Sequence, residues 1–85
     1  MNNMIDYLIL RILVKESAIS KSTGMTLKEF PLEDLNIKVN TLQKKMKGLE
    51  KQELVKRGYR DSRSYTYYIT KKALELLESE EDKNE

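Results

Sequence analysis

Cysteine and histidine are both missing from this 85-residue sequence. Without cysteine there is neither a disulfide framework nor a thiolate metal site. Without histidine the Ser–His and Cys–His pairs fall away, and so do histidine-ligated zinc sites. Acid–base chemistry would be left to Asp, Glu, Lys or Tyr. Glycine is scarce, with three residues spread along the chain, and nothing resembles a phosphate-cradling glycine loop. There is also no long apolar run. Residues 4–14 are the most apolar stretch, but Asp6 and Arg11 interrupt it and it is too short to span a bilayer. It has no basic leader and no small-residue cleavage site, so a cytoplasmic protein is expected, with no membrane partner. No residue set assembles into a catalytic group. A non-enzyme is expected, without cofactor, metal or small-molecule ligand.

What the sequence does have is a positive excess gathered into one block. The formal net charge is only +2. Between Lys38 and Arg63, however, nine bases face three acids, a local excess of +6. The segment 78–85 has five acids and one base, and no apolar side chain. It reads as an acidic, disordered tail appended to a domain spanning 1–77.

Asn3 followed by Asp6 reads as a helix cap with an acid in the first turn. Ile5, Leu8, Ile9, Ile12 and Leu13 then recur at helical spacing. Tyr7, Leu10 and Val14 form a second apolar strip beside the first. Either one small core takes both strips, or the second is a self-association surface. The self-association reading makes the protein a homodimer through Tyr7, Leu10 and Val14. Leu76 of the last helix adds a smaller part, and Ile5, Leu8, Ile12 and Leu13 face the core. Residues 15–24 read as a loop. Thr26 and Glu29 fit a capping box before Pro31, which suits the first turn of a short helix over 31–35. Asn36 tolerates the left-handed conformation that ends such a helix. Val39, Leu42, Met46 and Leu49 then give the apolar stripe of a basic helix over 38–52.

Four of the five tyrosines and every arginine but Arg11 fall in residues 55–70. Tyr65, Tyr67 and Ile69 alternate with Thr66, Tyr68 and Thr70, the period of a strand. A partner strand over 54–60 sets Arg60 opposite Tyr65, Gly58 opposite Tyr67 and Arg57 opposite Tyr68. Tyr65 and Tyr67 are expected in the core. Tyr68 is left between a surface position and an arginine-stacking role. Thr70 caps a last helix whose Ala73, Leu74 and Leu77 face inward.

Helix, short helix, turn, basic helix, hairpin, helix is the order of a winged helix-turn-helix. The expected fold class is therefore mainly α with a β-hairpin wing. The run LNIKVNTLQKKMKGLEKQELVKR, beginning at Leu35, resembles the second and third helices and first wing strand of the MarR family of regulators. Asn36 stands at the family's turn glycine, between apolar Leu35 and Ile37. LEKQELVKR is similar to the family's Leu-Glu-Lys-Lys-Gly-Leu-Val-x-Arg, with Glu53 in place of the glycine. Asp61-Ser62-Arg63 resembles the family's Asp-x-Arg wing tip. Tyr68-Ile69-Thr70-Lys71-Lys72-Ala73 resembles its Leu-Thr-x-x-Gly, with Ala73 replacing a glycine. The resemblance covers residues 35–77 and leaves out the family's terminal dimerisation helices.

The resemblance implies a sequence-specific binder of double-stranded DNA, most simply a small transcriptional repressor. Helix 38–52 would enter the major groove, and the 56–69 wing would hold the backbone or minor groove. Asn40, Thr41, Gln43 and Lys44 would read base edges. Lys38, Lys45, Lys47 and Lys56 would neutralise phosphates, with Arg63 at the wing tip and Arg60 and Ser62 beside it. A lysine-rich helix face alone is more often only a solvated surface. Its coincidence with the helix-turn-helix and wing is what points to DNA. The alternative is a winged helix serving as a protein-interaction or replication-assembly module.

Overall fold

The computed structural model describes residues 4–83. The expected cap at Asn3 lies outside them. Helix α1 (Met4–Lys15) is followed by a 3-10 turn (Leu27–Glu29), a short helix α2 (Leu32–Leu35) and helix α3 (Val39–Lys51). Strands β1 (Val55–Asp61) and β2 (Ser64–Ile69) pair as an antiparallel hairpin, and α4 (Lys71–Lys83) ends the order. The described residues form four α-helices and one two-stranded sheet, besides the 3-10 turn.

One core unites all of these elements. Ile9, Leu10 and Leu13 of α1 meet Leu42, Met46 and Leu49 of α3, Val55 and Ile69 of the hairpin, and Ala73 and Leu77 of α4. The buried face of α1 is not the expected one. Ile9, Leu10 and Leu13 are buried, whereas Ile5, Leu8 and Ile12 are only partly so. Leu10 is fully enclosed and cannot belong to a dimer surface. Tyr7, Val14 and Leu76, the rest of that expected surface, are half-buried and packed against the core. The physical reason is that α1 is apolar over most of its circumference. Periodicity then establishes a helix without choosing which side turns inward.

Three consecutive helices end in the same way. Ser17, Asn36 and Glu53 all have left-handed backbone, with φ of 59°, 56° and 62°. The next residue in each case donates its N–H to a carbonyl five positions back: Ala18 to Leu13 (2.8 Å), Ile37 to Leu32 (3.2 Å) and Leu54 to Leu49 (2.9 Å). Both members of every pair are apolar and lie in or against the core. This hydrogen-bond pattern satisfies orphan carbonyls and turns the chain sharply. Asn36 fills the role its sequence position suggests. Ser17 and Glu53 hold it without being glycine or asparagine.

Thr26 and Glu29 cap the 3-10 turn as expected, the Thr26 N–H donating to the Glu29 carboxylate over 2.6 Å. Thr70 caps α4, its Oγ1 accepting from the Ala73 N–H at 3.2 Å. That helix continues past Leu77 to Lys83, so most of the segment expected to be a disordered tail is helical. Its Glu, Ser and Lys residues are compatible with a helix, and no glycine or proline follows Leu77 to stop it. Asn84 and Glu85 lie outside the described residues.

The hairpin register departs from expectation at one place. Arg60 pairs with Tyr65 as expected, but Arg57 pairs with Tyr67 and Lys56 with Tyr68. The shift between Arg57 and Arg60 is a bulge that leaves Gly58 and Tyr59 opposite Thr66. Gly58 therefore does not face the Tyr67 ring. A Cβ on it would lie 2.5 Å from the Lys21 carbonyl oxygen and 2.6 Å from Thr66 Oγ1, so the close approach admits only glycine. The loop after α1 makes an isolated antiparallel bridge to the free side of β2. Met25 and Tyr67 exchange N–H···O bonds of 2.8 and 2.9 Å.

Candidate nucleic-acid interface

The bulge decides which side chains share a face. Residues three apart in a regular strand point to opposite sides. The extra residue in β1 cancels that alternation, and Arg57 and Arg60 come to lie with Tyr67 and Tyr65 on one face. Both guanidiniums sit over the Tyr65 ring, at 4.7 Å for Arg57 and 4.9 Å for Arg60. A ring quadrupole attracts cations in this position. Tyr65 is thus the arginine-stacking tyrosine and is 42% exposed, while Tyr67 is buried. The expectation of Tyr65 in the core is corrected, and the stacking role weighed for Tyr68 belongs to Tyr65.

The same hairpin face turns toward α3. Arg57 Nε lies 3.2 Å from a carboxylate oxygen of Glu50, tying the hairpin to the end of α3. The Glu50 carboxylate raises the Arg57 pKa further above its already high value. Burial pushes the Tyr67 phenol upward, with nearby Arg57 opposing. At the tip, Arg60 donates to the Arg63 carbonyl over 3.3 Å, so the turn is tied by Arg60. Ser62, first of the two linking residues, is left-handed with φ 59°. Tight hairpin turns require this conformation there.

On α3, buried Leu42, Met46 and Leu49 fix the outer face. Helical spacing puts Asn40, Lys44, Lys47 and Lys51 in one exposed stripe on that face. Gln43 lies on its wing side and lines a depression with Arg63 and Tyr65. Thr41 lies on the other side, lining a hollow with Asn36 and Lys38 at the turn. Arg60, Ser62 and Arg63 are exposed in the wing. Lys38, Asn40, Thr41, Gln43, Lys44, Lys47, Arg60, Ser62 and Arg63 are therefore all open to solvent.

Two expected members are not brought to this surface. Lys45 turns toward α1, its Nζ 3.9 Å from Asp6 Oδ1, an oxygen otherwise buried without a hydrogen bond. The pair neutralises a half-buried carboxylate and holds α1 on α3. Lys56 pairs with Tyr68, on the hairpin face opposite Arg57, Tyr65 and Tyr67. One residue joins the surface unannounced. Lys51 continues the Asn40–Lys44–Lys47 stripe, and its helical spacing was the available signal.

Among the described residues, no group of His, Cys, Asp or Glu could hold a metal ion. No helix among them is long and apolar enough to cross a membrane. Compared with protein-family models, curated proteins and solved structures, the chain matches none.

Proposed function

We propose that the chain is a winged helix-turn-helix protein that binds double-stranded DNA sequence-specifically, as a small transcriptional regulator and most simply a repressor. The observation that carries this reading is one continuous surface. The basic stripe of α3 lies beside a wing whose Gln43-facing tip bears Arg63. Phosphates are met by Lys38, Lys44, Lys47, Lys51, Arg60 and Arg63, and base edges by Asn40, Gln43 and Lys44. The order of elements and the left-handed turn at Asn36 support the likeness to the MarR DNA-reading unit. The alternative of a protein-interaction module draws on Met4, exposed at the start of α1. The charge of the α3–wing surface favours DNA.

Selection from a random duplex pool with the full chain tests the reading. A preferred sequence is expected to emerge. Gln43→Ala or Asn40→Ala should then relax that preference by about 1–3 kcal/mol at one base pair while leaving binding to other sequences nearly unchanged. Equal loss on every duplex would make these positions structural.

A further inference from the structure

Among the described residues, five large apolar side chains are exposed: Met4, Ile19, Val39, Tyr59 and Tyr65. Tyr59 and Tyr65 have cations over their rings. Met4 begins α1, and Ile19 lies in the loop after it. Val39 is different, because it stands within the basic surface. It opens α3, is 46% exposed and lies between exposed Lys38 and Asn40.

Nothing in the helix calls for valine there. A β-branched side chain loses rotamer freedom in a helix, and glutamate would serve an exposed first turn better. Gln43 follows one turn later on the same side. Val39, Gln43, Arg63 and Tyr65 line one depression between α3, the wing and the 3-10 turn, where Leu27 and Lys28 form the third wall and Val39 still keeps nearly half of its surface open. A duplex that reached both Gln43 and Arg63 would cover Val39 as well. In the major groove the apolar group on a base edge is the thymine C5-methyl, while adenine offers the N6/N7 pair that glutamine matches.

We infer that Val39 is a specificity-determining residue that packs on a thymine methyl, next to an adenine edge bonded by Gln43. The inference rests on the DNA-binding reading and adds to it the base that is recognised. Because the contact is apolar, it adds little to the salt dependence of binding and acts on discrimination.

The test replaces each thymine of the selected duplex by uracil, which removes the methyl and keeps the base pair. Affinity of the full chain is then measured at one salt concentration. At one or two positions uracil should weaken binding about fourfold, the effect of losing one buried methyl-sized group. Val39→Ala should bind the thymine and uracil duplexes equally at those positions. Val39→Thr keeps one methyl and should retain part of the difference. Circular dichroism should be the same for all three proteins. Wild-type indifference to uracil at every position would overturn the thymine assignment and leave DNA binding standing. So would a uracil penalty that survives undiminished in Val39→Ala. Failure to enrich any duplex would overturn the DNA-binding reading and this one with it.

Discussion

At residue scale, the three left-handed helix ends differ in how well each residue suits its backbone. An L-residue in this conformation brings Cβ close to a carbonyl oxygen, which costs about 1–2 kcal/mol; glycine avoids the cost and asparagine offsets part of it. Glu53 offers little in return. Its carboxylate is 4.0 Å from Lys72 Nζ with both side chains well exposed, an ion pair of small value. Its backbone carbonyl, which accepts from Thr70 Oγ1 at 2.8 Å, survives any substitution. Ser17→Gly and Glu53→Gly should therefore each stabilise the fold by about 1 kcal/mol, and Asn36→Gly by less. Urea denaturation at unchanged m-value measures this. A loss of stability in Glu53→Gly would show that its side chain matters more than its backbone. The likeness of LEKQELVKR to a run with glycine at this position marked Glu53 as a replacement in the sequence, without giving its backbone conformation. Ser17 had no such marker, because its loop has no periodic pattern.

At the scale of elements, α3 was the most legible. A single apolar stripe on a polar helix leaves one choice of buried face, and Leu42, Met46 and Leu49 take it; Val39, expected in the same stripe, is instead 46% exposed, because it sits at the helix start, turned toward the wing side and away from that face. The stripe does not reveal partners across a helix interface, so sequence alone sends Lys45 to phosphate although Asp6 holds it. The α1 face was illegible because apolar residues surround the helix. The hairpin was legible as two strands, but its bulge depends on the Lys21 carbonyl contacting Tyr59, 38 positions away in sequence. That one residue of slip places both arginines on the Tyr65 face. Within α3, a Cβ added at Gly48 would meet nothing within 4 Å, so the missing side chain serves no close approach. Gly48→Ala should raise helix stability by roughly 0.5–1 kcal/mol and the melting temperature by about 4–8 °C per kcal/mol. Calorimetry checks it. A lower melting temperature would show that the backbone there needs freedom the helix does not display.

For the whole molecule, a dimer would serve the proposed DNA binding. A single module of this size has few base contacts, and two-fold pairing doubles them on a palindromic site. Burial of Leu10 moves the candidate surface to the opposite side of α1, around Leu8 and Met4. Sedimentation equilibrium should give twice the 10.0 kDa chain mass, and Leu8→Glu should return it to the monomer value while the fold is retained. A dimer that survives Leu8→Glu would place the interface elsewhere, and a monomer at all concentrations would end the dimer proposal. A grip of the α3–wing surface on duplex DNA through its charges is read from the affinity for one duplex across a range of salt concentrations. Each neutralised phosphate contributes about −0.9 to the slope of log K against log salt. Contacts from Lys38, Lys44, Lys47, Lys51, Arg60 and Arg63 predict a slope of about −5 per protomer, less steep by about one in Arg63→Ala. A salt-independent affinity, or no duplex binding even at low salt, would contradict it.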